Sequence, residues 1–179
     1  MKRIVLLLIA VVFASCKQEK TETAAGDQPF FIFDKVVHYH KEISRQYLDT
    51  LYDKPEKSRN DLGLIQIVTG NVPVNPADTL FVKNMSILEF SQHEIEASKN
   101  AEISKLFSQK TPKETVAESA NCKAIYADVL VFRGKGKIVG VAKIDFNCKK
   151  AQIVGMRYSP ENFGKSGEFD ELQKLVGSK

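Results

Sequence analysis

The chain has 179 residues, of which 43% are hydrophobic and 27% charged, so its length and composition are typical of one globular domain with its own core. Its 26 Lys and Arg residues against 22 Asp and Glu residues give a formal net charge of +4. Lys2 and Arg3 lie at the extreme N-terminus, and without them the balance is 24 against 22, or +2. Binding to nucleic acid needs a concentrated basic surface, so this near balance argues against a nucleic-acid partner.

The N-terminal segment has the order of an export signal. Lys2 and Arg3 form a short basic stretch, Ile4–Phe13 is an unbroken apolar run, and two small residues then precede Cys16. This order is typical of a signal peptide. The apolar run is well short of the roughly 20 residues that span a bilayer as a helix.

The sequence Phe13-Ala14-Ser15-Cys16 resembles the lipobox of bacterial lipoproteins. The resemblance implies that residues 1–15 are removed, and that Cys16 becomes the mature N-terminus and carries diacylglyceryl and N-acyl groups. Several acyl chains on one residue make a durable anchor, whereas a single chain binds a membrane only marginally. In such lipoproteins an Asp after the cysteine favours the inner membrane, so Lys17 implies the outer membrane, on its periplasmic or surface face. The alternative is an ordinary cleaved signal with Cys16 beside it by coincidence.

Residues 16–28 are polar and have no periodic pattern, so we expect a lipidated tether followed by one globular domain at 29–179. Alternating aromatic and β-branched residues predict a strand in Phe30–Lys41. The apolar run Leu64–Thr69 predicts a buried strand, and the alternation in Leu88–Ile95 favours another. Short helices are expected to begin at the capping residues Ser44, Asn75, Ser98 and Thr111.

The clearest element is a β-hairpin at about 122–148. Two strand-like runs flank Gly134–Gly136, and a three-residue loop with Gly in the left-handed conformation is a common hairpin connection. A register centred on Lys135 places Phe132 opposite Ile138 and collects most aromatic and Ile residues on one face. The other face is apolar in its middle, so we expect the hairpin to be central in its sheet.

The same register places Cys122 directly opposite Cys148, within bonding range of a cross-strand pair, and so predicts a disulfide. An exported protein also meets the oxidising compartment in which disulfides persist. One alternative is a pair of buried free thiols. A two-residue turn would shift the register by one residue and place the two cysteines on opposite faces.

The predicted fold class is α+β, with a mainly antiparallel sheet, the central hairpin and helices packed on one face. Gln152–Arg157 is expected to add a third strand next to the hairpin. A C-terminal helix follows, and the spacing of its apolar residues predicts one buried stripe: Phe169, Leu172 and Val176.

Two of the three histidines have a spacing that can serve a metal. His38 and His40 would share one side of the first strand, and a third ligand would come from His93 or a carboxylate. Nothing in the sequence brings His93 near. The favoured interpretation is that the strand histidines face solvent, so no metal site is predicted, and a metal site at His38 and His40 is the alternative. No catalytic residue and no cofactor is predicted, because the sequence has no phosphate-binding loop and no nucleophile elbow.

Asp128 is a lone acid on the apolar face of the predicted hairpin. A buried carboxylate needs a partner, so we expect a loop Lys or Arg beside it, or exposure near a bend, with catalysis as the alternative. Lys143 and Asp145 share the opposite face and are expected to be solvated. The hairpin tip is expected to be a soluble turn, with contact to an anionic partner as the alternative; its basic residues are Arg133, Lys135 and Lys137.

The hairpin also resembles one in small uncharacterised bacterial lipoproteins and exported proteins. The residues that carry the resemblance are Val131-Phe132, Gly136-Lys137 and the strand end Ile144-Asp145-Phe146-Asn147-Cys148. Relatives often have a second cysteine where this chain has Asp145. The resemblance implies no known activity.

Together these features favour a non-enzymatic binding or interaction domain, of inhibitor or immunity type, anchored in the cell envelope. Its expected partners are the membrane, through lipid on Cys16, and an envelope protein. The alternative is a small envelope hydrolase or a metal-binding protein that uses His38 and His40.

Overall fold

The structure is a computed structural model that describes residues 28–111 and 121–177. The predicted signal, the predicted tether apart from Gln28 and the helix predicted after Thr111 lie outside the described residues. Within the described residues, no helix is both long and apolar enough to cross a membrane.

The described residues form five strands, five α-helices and one 3-10 turn at Ala97–Lys99. The strands are β1 (Lys35–His40), β2 (Ser91–Glu94), β3 (Asp128–Gly134), β4 (Lys137–Asp145) and β5 (Lys150–Val154). The helices are α1 (Arg45–Asp53), α2 (Arg59–Thr69), α3 (Thr79–Ile87), α4 (Asn100–Leu106) and α5 (Glu168–Val176).

The five strands form one sheet in the order β2-β1-β3-β4-β5, and every neighbouring pair is antiparallel. The β3–β4 hairpin is therefore central, as predicted, and β5 is the expected third strand of this part of the sheet. The strand predicted at Leu88–Ile95 is present as the shorter β2. The α+β class and the mainly antiparallel sheet are confirmed.

Helices cover both faces of the sheet, so the prediction of one helical face is wrong. On one face, α4 and α5 pack against the sheet in a core that includes Val36, Ile103, Leu130, Phe132, Ala142, Ile144, Phe169 and Leu172. On the other face, α1, α2 and α3 pack against it in a core that includes Leu48, Leu51, Leu64, Ile67, Phe81, Met85, Val129 and Val141. The physical reason lies in β3 and β4, which are apolar on both sides and need cover on each.

The stretch predicted as a strand at Leu64–Thr69 is the second half of α2. Ser58 caps this helix with its hydroxyl and receives the side chain of Asp61 on its own N–H, which is a complete capping box. Leu64, Ile67 and Val68 then face the sheet at helical spacing. The apolar run reflects one buried helical face, because a short run of this kind does not distinguish a strand from a helix.

The hairpin register differs from the predicted one by two residues. Gly134 pairs with Lys137, so the turn contains only Lys135 and Gly136, both with positive φ. A β-bulge next to Phe132 then shifts the register by one more residue, and Phe132 pairs with Gly140 instead of Ile138. Because the two changes add to an even number, side chains on β3 up to Phe132 and on β4 from Gly140 onward keep their predicted faces. Between the bulge and the turn the register is shifted by one residue only. Ile138 therefore packs on the face of Val131, and Val139 on the face of Phe132, which is the reverse of the prediction.

The structure has the Cys122–Cys148 disulfide, with the two Cα atoms 5.7 Å apart. Neither cysteine belongs to the strand ladder, which ends where Asp128 pairs with Ile144, so the predicted cross-strand position is wrong. The bond instead joins the segment that leads into β3 to the turn that follows β4. For a sequence separation of 26 residues, the chain-entropy model gives a stabilisation of about 3.5 kcal/mol.

Candidate metal centre

The sheet brings three polar side chains to one end of β1. His40 pairs directly with Asp128 on β3, and His38 lies two residues earlier on the same face of β1. Residues directly opposite each other in an antiparallel pair share a face, so His38, His40 and Asp128 point to the same side. This is the face that α4 and α5 cover along its apolar part. We call His38, His40 and Asp128 the histidine cluster.

The histidine cluster converges on one carboxylate oxygen. Asp128 Oδ1 lies 2.7 Å from His38 Nε2 and 2.9 Å from His40 Nδ1. One possible ligand atom from each of the three residues lies within 4.8 Å of the other two. The two hydrogen-bond partners of Asp128 Oδ1 are thus imidazoles, whereas a loop Lys or Arg was the expected partner.

Burial in the histidine cluster is uneven. His38 is 2% exposed and Asp128 is 4% exposed, so the expectation that the strand histidines face solvent is wrong for His38. The side chain of His40 is 38% exposed. The cluster is consequently enclosed on its protein side and open to solvent through His40.

The two ring nitrogens of His38 differ in their hydrogen bonding. Its Nε2 is bonded to Asp128, whereas its buried Nδ1 has no hydrogen-bond partner among residues 28–111 and 121–177. His93 lies next to this ring, because β2 pairs with β1 and places His93 directly opposite His38. The two ring centroids are 4.8 Å apart with an interplanar angle of 88°. Partial burial lowers the pKa of His93, and the nearby His38 and Lys99 lower it further.

The sequence pattern alone does not place His93 beside His38. The alternation of Leu88–Ile95 identified β2 as a strand, but nothing local states which strand it pairs with. The pairing depends on the chain returning to β1 after three helices. The three histidines of the chain are thus brought to one end of the sheet by contacts distant in sequence.

Two imidazoles and a carboxylate form a ligand set suited to a divalent transition metal such as Zn²⁺. Around a tetrahedral ion with bonds of about 2.0 Å, neighbouring ligand atoms are about 3.3 Å apart. The two nitrogen–oxygen distances in the histidine cluster, 2.7 and 2.9 Å, are slightly shorter than this separation. An ion could enter by a small outward movement of the exposed His40 ring.

A second buried polar cluster lies on the opposite face, formed by Lys143, Asp145 and Tyr126; we call it the lysine cluster. Lys143 is fully buried and Asp145 is 4% exposed, so the expectation that both are solvated is wrong. Lys143 Nζ donates to the carbonyls of Ile67 and Gly70 at 2.8 and 2.7 Å and lies 4.8 Å from the centre of the Tyr126 ring. These carbonyls end α2, where a cation interacts favourably with the helix dipole.

Asp145 in the lysine cluster holds the loops around the disulfide. Its Oδ2 accepts from the N–H of Ile125 at 2.7 Å, and its Oδ1 accepts from those of Asn147 and Cys148 at 2.9 and 3.0 Å. Burial raises the pKa of Tyr126, and the nearby charge of Asp145 raises it further. Burial also lowers the pKa of Lys143 to about 7.

An open groove of about 1270 Å³ lies beside the disulfide, between α1 and the segment that leads into β3. Two of its basic residues are bonded to main-chain carbonyls of the disulfide segment. The guanidinium of Arg45 donates to the carbonyl of Lys123, and Lys150 Nζ donates to that of Cys122. These two hydrogen bonds hold the wall of the groove in place.

Comparison of the chain with protein-family models, with curated proteins and with solved structures found no match in any of the three.

Proposed function

We propose that this chain is a lipid-anchored protein of the cell envelope whose globular domain binds a divalent transition-metal ion through the histidine cluster. The single observation that carries the metal-binding role is the convergence of His38 and His40 on Asp128 Oδ1. A hydrogen-bonded structural triad would use the same contacts. The difference is that the exposed ring of His40 leaves one side of the histidine cluster open to an ion and a further ligand.

The proposed role is binding and not turnover. His38, His40 and Asp128 donate two imidazole nitrogens and a carboxylate oxygen, and the exposed His40 provides the entry side. The Cys122–Cys148 disulfide and the loops held by Asp145 stiffen the end of the sheet from which Asp128 projects. An envelope protein could be a further partner of such a tethered domain.

The metal-binding role is tested by titrating Zn²⁺ into the mature lipidated protein in detergent, where lipid on Cys16 removes that thiol as a competing ligand. We expect one Zn²⁺ per chain. Replacing groups around metal ligands costs 10–100-fold in affinity, so removal of a ligand itself in His40→Ala or Asp128→Asn should weaken binding by at least about 100-fold. Isothermal titration against a competing chelator measures the change.

Glu94→Gln is the matched control for these variants. Glu94 is an exposed carboxylate on β2 that pairs with Lys35 and lies on the other face of the strand from His93. We expect it to bind Zn²⁺ like the wild type. Equal affinity in the wild type and Asp128→Asn, or no binding by the wild type, would reject the metal-binding role and leave a structural triad.

The anchor is tested separately by mass spectrometry of the mature N-terminus. We expect the first residue to be Cys16, with a mass increase equal to one diacylglyceryl and one acyl group. The Cys16→Ser variant should lose this increase and remain unprocessed, because the lipidated sulfur is the recognised group. A mature protein that begins elsewhere, or that carries an unmodified Cys16, would contradict the anchor.

A further inference from the structure

The spacing of the three imidazole rings is informative about a shared ion. Two imidazoles bound to one tetrahedral ion at about 2.1 Å have ring centroids about 5 Å apart. The centroids of His38 and His93 are 4.8 Å apart, close to that value, and those of His38 and His40 are 6.2 Å apart. By this measure alone His93 is spaced from His38 about as suitably as His40 is. The nitrogens of His93 lie outside the group of ligand atoms that are within 4.8 Å of one another, so its ring must turn to share the ion.

We propose that His93 is a third imidazole ligand, so that the metal is held by His38, His40, His93 and Asp128. This inference rests on the proposed metal-binding function and adds the class of ion. Three imidazoles and one carboxylate make a nitrogen-rich set, which suits Zn²⁺ and Cu²⁺ and is poorly suited to Mg²⁺, Ca²⁺ or Mn²⁺.

The position of His93 on the edge of the sheet allows it to act in this way. β2 is only four residues long and all four are exposed, so the His93 ring can turn towards the ion without disturbing a core. The strand is held to β1 by its ladder and by the Ser91 hydroxyl, which donates to the carbonyl of His40 at 3.0 Å. That bond fixes β2 directly beside His40, on the open side of the histidine cluster.

His93 has one competing role, as a hydrogen-bond partner of His38. Histidines that bind a metal almost always bond through their second ring nitrogen, and the Nδ1 of His38 has no such partner within the described ranges. A polar side chain at position 93 could fill that role without touching the ion. The two roles differ in whether Gln, which forms hydrogen bonds but is a poor ligand for Zn²⁺, can replace His93.

The experiment compares His93→Ala and His93→Gln in the mature lipidated protein. We expect both variants to bind Zn²⁺ at least about tenfold more weakly than the wild type. We also expect Zn²⁺ to shift the ring nitrogen resonances of all three histidines in the wild type, and the chain has only these three to assign. Mg²⁺ and Ca²⁺ should shift none of them.

Gln92→Ala is the matched control, because Gln92 is an exposed neighbour on β2 that points to the other face. It should bind Zn²⁺ like the wild type. Unchanged affinity in His93→Ala, or wild-type affinity in His93→Gln, overturns the inference, and the second result assigns His93 to the positioning of His38. If the wild-type protein binds no Zn²⁺, the proposed metal-binding function itself is rejected.

Discussion

The two buried polar clusters lie on opposite faces of one sheet and are bonded in different ways. In the lysine cluster the partners are main-chain groups: Asp145 accepts from three N–H groups, and Lys143 donates to two carbonyls. In the histidine cluster the partners are side chains, since both imidazoles bond to Asp128. One cluster connects segments of the chain, whereas the other collects ligand atoms.

The difference extends to what each cluster leaves unused. In the lysine cluster, Lys143 is inaccessible and donates to carbonyls at the end of α2, whereas Tyr126 and Asp145 line the groove beside the disulfide. The histidine cluster has an unpartnered Nδ1 on His38, an exposed ring on His40 and a third imidazole beside it. Burial of charge therefore does not by itself identify a functional site. The partners of the buried charge, and its remaining capacity for ligands, distinguish structure from function.

A matched pair of substitutions tests this contrast most strongly. Both carboxylate oxygens of Asp145 accept hydrogen bonds from backbone N–H groups in the wild type. Asp145→Asn replaces one of these oxygens by an amide donor, which leaves a backbone N–H without its acceptor. We therefore expect the free energy of unfolding to fall by about 2–3 kcal/mol. Asp128→Asn keeps an oxygen for the imidazoles, and we expect a change within about 1 kcal/mol. Urea unfolding of both variants without metal measures the difference.

For Zn²⁺ binding the order of the two effects should be reversed. Asp128→Asn should no longer bind Zn²⁺, whereas Asp145→Asn should bind Zn²⁺ under conditions where circular dichroism shows that the domain is folded. Equal destabilisation by the two substitutions would mean that both acids have the same structural role.

The hairpin shows how far local pattern predicts this fold. Alternation assigns the residues of β3 up to Phe132 and of β4 from Gly140 onward to their correct faces, although the predicted turn is one residue too long and the bulge is not predicted. Between the bulge and the turn, Ile138 and Val139 are assigned to the wrong faces. Face assignment needs only the parity of the register, so two errors of one residue cancelled. The disulfide is present for a related reason: the loops beyond both strands converge even though the ladder ends before the cysteines.

The sites depended on information that local pattern lacks. His38 and His40 were identified from their spacing, but their common partner Asp128 is 90 and 88 residues away along the chain. The sequence predicts solvated side chains at Lys143 and Asp145 because most charges are solvated, and only the positions of α2 and the loops show what buries them. In each case the decisive contact is long-range and polar, whereas the sequence pattern records mainly which faces are apolar.

A pH dependence of stability is also expected to arise in the lysine cluster. Burial lowers the pKa of Lys143 from 10.5 to about 7 in the folded protein. Between these values the unfolded chain binds more protons than the folded one, so the free energy of unfolding rises with pH, by up to about 1.4 kcal/mol per pH unit. Below pH 7 the amine is protonated in both states, and the dependence from this group disappears.

Urea unfolding between pH 7 and 9 measures this dependence, because ordinary tyrosines are still mostly protonated there. Lys143→Met should remove the rise, whereas Lys137→Met, at an exposed position in the same strand, should keep it. The two carbonyls of Ile67 and Gly70 lose their donor in Lys143→Met, which lowers its stability by an amount that does not vary with pH. Only the slope of the unfolding free energy against pH is therefore diagnostic. Parallel curves for the wild type and Lys143→Met would show that Lys143 keeps an ordinary pKa. Its carbonyl and ring contacts would then offset the cost of burying its charge.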